Sequence, residues 1–159
     1  MLPESFHIVL CQPVIPQNTG SIARLCACTG AVLHLIHPLG FQVDAAAVKR
    51  AGLDYWPHVD IREHVSWGKF LETENPARDR LFLFSKCATT SFVEANLKPP
   101  TYLVLGNETQ GLPEPLWEEY RDRFFKIPMR THLVRSLNLS QAAAVVLYEG
   151  LRQEGFTRT

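Results

Sequence analysis

No excess of either charge sign marks this chain: Lys and Arg together number 16, as do Asp and Glu, over 159 residues. That balance excludes non-specific coating of nucleic acid by global charge and leaves a local basic patch as the way to hold one. Cysteine is sparse. Cys11, Cys26, Cys28 and Cys87 form no C-x-x-C pair, which excludes a disulfide scaffold or a thioredoxin-like motif and predicts reduced thiols in a cytoplasmic protein. No apolar run approaches the roughly 20 residues needed to span a bilayer, so no membrane partner is expected. The start, MLPESFHIVL, has no basic region ahead of its apolar run and does not read as a signal peptide. Neither G-x-x-x-x-G-K-[ST] nor G-x-G-x-x-G occurs, and a P-loop ATPase or an ordinary NAD site loses support. His34 and His37, three apart on a strand, point to opposite faces; His7, His58 and His64 are scattered without zinc spacing. No metal is expected.

What is present is a core-forming chain: 46% hydrophobic and 20% charged residues. At this length about 70% of the unfolded surface is buried on folding, and a single domain over 1–159 is expected. Short apolar runs alternate with helical stretches. Strands are predicted at 6–12, 31–37, 80–85, 101–106 and 123–128, and helices at 18–29, 44–52, 66–74, 116–120 and 138–153. Asn18, Asp44 and Asn138 are the predicted N-caps, Asn138 pairing with Gln141 in a capping box, and Gly30 is the stop after the first helix. The strands are apolar throughout rather than alternating, as in strands buried on both faces. With βαβ alternation this predicts an α/β fold, a mostly parallel sheet flanked by helices. Ligands of such sheets bind beyond the carboxyl ends of the strands.

Three loops at those ends carry polar chemistry. After the strand at 101–106 comes Gly106-Asn107-Glu108-Thr109-Gln110-Gly111, where Gly106 allows a ligand close to the backbone and Gly111 allows positive φ. After 123–128 comes a segment without acids from Met129 to Ser140, containing Arg130, His132 and Arg135 and leading into a helix N-terminus suited to an anion. After the first strand comes Pro16-Gln17-Asn18-Thr19-Gly20, with Arg24 further along the helix. Each has an ordinary structural reading: a tight turn, a solvated basic loop, a surface arginine.

Taken together and in order, N-T-G-S-I-A-R ending at Arg24, L-G-N-E-T-Q-G-L from Leu105, and I-P-M from Ile127 with S-L-N-L-S-Q-A from Ser136 resemble the three motifs of the SPOUT class of RNA methyltransferases, TrmH-like branch. The start I-V-L-x-x-P-x-I-P-x-N-T-G and R-A-G-L-D-Y from Arg50 are most similar to its TrmL (YibK) group, tRNA wobble-nucleotide 2′-O-methyltransferases. The resemblance covers essentially the whole chain. It implies a C-terminal trefoil knot, a homodimer, and S-adenosylmethionine (AdoMet) as methyl donor with S-adenosylhomocysteine as product. The substrate it implies is the ribose of tRNA cytidine or uridine 34. By the same resemblance Phe84, Gly106, Ile127, Ser136 and Leu137 hold the cofactor, and Arg24 is catalytic. Asn18 and Glu108 orient Arg24 or its loop, and Asn138 with Ser136 holds the ribose or the loop. In a dimer, Lys49, Arg50, Arg130 and Arg135 join into a face for tRNA, and the last helix, bearing Tyr148, is a candidate dimer surface. Two departures stand out: Gln110 replaces a usual cation, and Cys87 stands where a Lys-Gly pair often continues. A catalytically idle RNA-binding module of the same fold and another α/β nucleotide-binding enzyme are the competing readings.

Overall fold

The computed structural model describes residues 5–43, 50 and 55–157. In chain order the elements are β1 (Phe6–Cys11), α1 (Pro16–Thr29), β2 (Val32–Ile36), β3 (Ile61–His64), α2 (Trp67–Glu74), β4 (Leu81–Phe84), β5 (Thr90–Ser91), β6 (Thr101–Leu105), α3 (Glu114–Glu119), β7 (Phe124–Lys126) and α4 (Leu139–Gln153), joined in places by single 3-10 turns. The strands form one sheet in the order β3-β2-β1-β6-β4-β7-β5, with every pairing parallel. Two strands are late insertions: β6 enters between β1 and β4, and β7 between β4 and β5. The loops after β6, β4 and β7 are thereby neighbours at one edge of the sheet, although 20 to 40 residues separate them in sequence.

Period-two alternation sends each strand's side chains to two separate cores. On one face Ile8, Leu10, Leu33, Leu35, Phe82, Leu103 and Leu105 meet Ile22 and Cys26 of α1 and Ala143, Val146 and Leu147 of α4. On the other, Val9, Cys11, Leu81, Leu83 and Val104 pack with Phe70 of α2 and Leu116 and Tyr120 beside α3. Every residue of β1, β2 and β6 is buried, which is why these strands read as unbroken apolar runs.

Several sequence expectations shift. Helix α1 begins two residues early, at Pro16 with Ile15 as N-cap, so Asn18 lies inside the first turn and is not the cap. The fixed φ of proline suits the first helical position and makes it the better start signal. Gly30 ends α1 as expected, at φ +75° with its N–H on the Cys26 carbonyl. Ser66 caps α2, its Oγ accepting from the Lys69 N–H. Asn138 caps α4, but through the Ser140 N–H rather than through a box with Gln141. The edge strands β3 and β5 were not anticipated: Ile-Arg-Glu-His and Thr-Ser lack the apolar signature of a strand covered on both sides. The helix expected at 44–52 lies outside the described residues, apart from the helical Arg50.

Candidate active site

The loop after β6 is a closed turn. Asn107 and Gly111 form a two-bond antiparallel bridge, each N–H donating to the other's carbonyl at 3.3 Å. The Asn107 side chain folds in as well, its Oδ1 accepting from the N–H groups of Thr109 (3.1 Å) and Gln110 (2.6 Å). Gly111 sits at φ +71°, as expected. Gly106 also has a structural requirement of its own. A Cβ there would lie 2.1 Å from the Gly111 carbonyl carbon and 2.3 Å from the Leu112 nitrogen. Its missing side chain first lets the loop close on its own backbone.

That closure aims Glu108 outward at α1. One carboxylate oxygen accepts from the Val14 N–H at 2.9 Å; the other accepts from the Ile15 N–H at 3.1 Å and from Asn18 Nδ2 at 3.3 Å. The first N–H groups of a helix lack intrahelical partners, and an anion there also meets the positive end of the dipole. Helix α1 has no side-chain cap from Ile15 and no acid in its first turn. Glu108 fills both roles from more than 90 residues away. Asn18, 6% exposed, is held by the same carboxylate. Beside it Thr19 is fully buried, and its Oγ1 has no hydrogen-bond partner among the described residues. Sequence reasoning passed over Thr19, although it lies inside the N-T-G motif.

Arg24 is not part of this clamp. It lies six residues beyond Asn18, about 9 Å along the helix axis at 1.5 Å per residue. It is exposed, with its guanidinium 5.4 Å from the centroid of the Tyr55 ring. Of the two roles expected of Asn18 and Glu108, orienting Arg24 or its loop, the contacts present are those of the second: both fix the backbone at the start of α1.

Phe84, 7% exposed, closes β4 next to Leu105 of β6, with which it is paired. From the loop that follows, Lys86 Nζ donates to the Arg135 carbonyl at 3.2 Å, tying the β4 loop to the segment after β7. That segment starts at half-buried Ile127 and is exposed from Arg130 to Asn138, a stretch that includes Arg135, Ser136 and Leu137. Leu133 and Val134 are 83% and 62% exposed. The structure thus brings together Phe84, Gly106 and Ile127 at the carboxyl ends of the adjacent strands β4, β6 and β7, with Asn18 and Glu108 on the side of α1. Arg130 and Arg135 line the open loop, Arg50 is exposed, and Lys49 lies outside the described residues.

The histidines, read as scattered, are not. His7, His34 and His64, on adjacent strands, form a buried hydrogen-bonded row ending at Glu74. Sequence spacing hid this because the three strands are brought together only by the sheet.

The profile of the SpoU rRNA Methylase family matches residues 5–148. A tRNA (cytidine(34)-2′-O)-methyltransferase of Burkholderia ambifaria is 44% identical over 152 residues, covering 95% of this chain and 97% of that protein. A solved structure described as giving insight into 2-OH methylation of C/U34 on tRNA is 47% identical at a TM-score of 0.89, covering 97% and 99% of the two chains. The SpoU methyltransferase AviRb of Streptomyces viridochromogenes, solved with AdoMet bound, is 26% identical at a TM-score of 0.84; the match covers 97% of this chain and 60% of that one.

Proposed function

The chain belongs to the SpoU rRNA Methylase family, and from that premise we propose that it is a tRNA 2′-O-methyltransferase that uses AdoMet to methylate the ribose of cytidine or uridine 34. The observation that carries this reading is the meeting of the loops after β4, β6 and β7, the last two bearing family motifs, at the carboxyl edge of a parallel sheet, in a chain similar over nearly its full length to enzymes of that name.

The residues at this edge fit a nucleoside-bearing sulfonium. A tight glycine turn and an exposed segment offer backbone N–H and C=O groups to an adenine, and Phe84 closes the apolar floor. When bound, AdoMet supplies an electrophilic methyl group on a neutral, good leaving group. The protein's main task is then to position the ribose oxygen in line. Glu108 has all its acceptor contacts on the start of α1 and acts as a positioning residue, fixing that segment against the cofactor loop. A guanidinium offers only donors, so Arg24 is assigned to the substrate phosphate or the developing alkoxide. Asn138 caps α4 through Ser140 and holds the end of the loop carrying Ser136 and Leu137. Arg50, Arg130 and Arg135, all exposed, are assigned to tRNA, with Lys49 assigned by sequence alone.

The two inserted strands support the trefoil knot expected of the family. Val145 and Tyr148, 38% and 47% exposed on α4, support a homodimer face. Among the described residues no helix is long and apolar enough to cross a membrane; a cytoplasmic location, a single domain over 1–159, and methyl transfer without a metal complete the proposal. Incubation with AdoMet and unmodified tRNA, followed by nucleoside mass spectrometry, tests it: 2′-O-methylcytidine or 2′-O-methyluridine is expected. Methyl transfer to a base alone would refute it, and AdoMet binding without any transfer would favour the idle module.

A further inference from the structure

The buried histidine row lies on the sheet face covered by α2, on β1, β2 and β3, away from the loops after β4, β6 and β7. His7 on β1, His34 on β2 and His64 on β3 each sit two residues out of register with the next, so their rings succeed one another diagonally across the sheet. Their exposures are 8%, 0% and 6%. His7 Nδ1 is 2.9 Å from His34 Nε2, and His34 Nδ1 is 3.0 Å from His64 Nε2. Phe70 of α2 packs edge-on against both His34 and His64, and Tyr102 stacks on His7.

Glu74, at the end of α2, completes the group. Its Oε2 is held by Arg62 at 2.8 Å, and Arg62 is held in turn by both oxygens of Asp60. Its Oε1 makes no hydrogen bond among the described residues and faces His34 Nδ1 and His64 Nε2, each at 3.9 Å. An acceptor-only carboxylate oxygen directed at two ring nitrogens is a poor arrangement for neutral groups that bond only one another. It is a good arrangement for a cation among all three. The spacing agrees: the nearest point equidistant from the three atoms, separated by 3.0, 3.9 and 3.9 Å, lies in their plane about 2.1 Å from each, and a point about 0.7 Å out of that plane, as a fourth ligand requires, lies about 2.2 Å from each. Zinc–imidazole and zinc–carboxylate bonds have that length.

We propose that His34 Nδ1, His64 Nε2 and Glu74 Oε1 form a binding site for a zinc ion at the β2–β3–α2 corner of the domain. The outer partners are those such a site needs. His34 presents Nδ1 to the metal as its Nε2–H tautomer and donates Nε2–H to His7, while Arg62 fixes the second carboxylate oxygen. Burial favours the neutral rings a metal requires. Three protein ligands leave a fourth position to water. Arg62, with 31% of its side chain exposed, stands at the solvent side of the group. The site is independent of the methyl-transfer reading, since it shares no residue with the three loops.

The full chain, stripped with chelator and dialysed against zinc chloride, is expected to retain one zinc per chain by elemental analysis. With cobalt(II) as probe it is expected to show the visible absorption of a four-coordinate N/O site. Glu74→Gln and His34→Ala are expected to abolish retention, and His7→Asn to weaken it about 10- to 100-fold, with circular dichroism checking that each variant is folded. Stoichiometric retention that survives both Glu74→Gln and His34→Ala, as binding to exposed Cys28 or Cys87 would, overturns the assignment. So does absence of zinc from the folded parent chain at micromolar zinc.

Discussion

Replacing Glu108 by alanine removes three acceptor contacts at once and leaves the start of α1 without a cap. The Val14 N–H and Asn18 Nδ2 are partly shielded and lose their partner; the Ile15 N–H, on a residue 39% exposed, turns to water. At about 1 kcal/mol for each shielded donor left unpaired, plus a few tenths for the helix-dipole contact, Glu108→Ala costs about 2–3 kcal/mol. For a chain of this size that lowers Tm by about 5–10 °C. Glu108→Gln keeps an acceptor but sets an amide against the remaining donors, and costs about 1 kcal/mol. Urea unfolding followed by circular dichroism, at fixed protein concentration, is the assay; the midpoint falls and the slope m stays constant. AdoMet affinity, read by calorimetry, falls with it because the same carboxylate positions the cofactor loop. An unchanged midpoint for Glu108→Ala would refute the clamp. Loss of methyl transfer with unchanged stability and AdoMet affinity would instead make Glu108 a participant in the chemistry.

Arg24→Ala is expected to lower single-turnover methylation at saturating tRNA and AdoMet by at least about 100-fold, with AdoMet affinity unchanged and little rescue by Arg24→Lys, which lacks the planar fork. Parental turnover in Arg24→Ala would remove its catalytic role. Arg130→Ala and Arg135→Ala are expected to weaken tRNA binding and flatten its salt dependence in filter-binding titrations. Burial raises the thiols of Cys11 and Cys26 to about 12, so iodoacetamide at pH 8 is expected to label Cys28 and Cys87 in the folded protein and all four cysteines after unfolding. Burial, then the charge of Arg62, lowers His7 to about 4; burial, then the flanking histidines, lowers His34 to about 2. In chelator-treated protein the unfolded chain therefore takes up more protons below pH 6.5. The stability these rings contribute is complete above that pH and falls by about 1.4 kcal/mol per unit per ring as pH drops toward 4. A flat urea midpoint between pH 6.5 and 4.5 would contradict this.

The central strands were legible because burial on both faces leaves an unambiguous signal, and α4 because its apolar spacing and Asn138 agree. The edge strand β3 was not: Arg62, Glu63 and His64 turn to polar partners, Ile61 alone packs on the core, and only the pairing with β2 makes the segment a strand. Of the site, the strand-end rule found the right loops, since topology alone fixes where they lie. It could not find the Glu108 clamp or the histidine row, because each depends on a contact between segments far apart in sequence. The reason for Gly106 was hidden likewise: the atoms a side chain would strike belong to Gly111 and Leu112, which meet it only when the turn closes.

The central claim is that the chain methylates the 2′-oxygen of nucleotide 34, and fragment mass spectrometry of treated tRNA tests it most directly. After incubation with AdoMet, nuclease fragments spanning the anticodon are expected to gain one methyl group, located on the ribose of nucleotide 34. A tRNA carrying 2′-deoxyribose at that position is expected to gain none. A methyl group elsewhere in the tRNA, or one added equally to the 2′-deoxy substrate, would contradict the account.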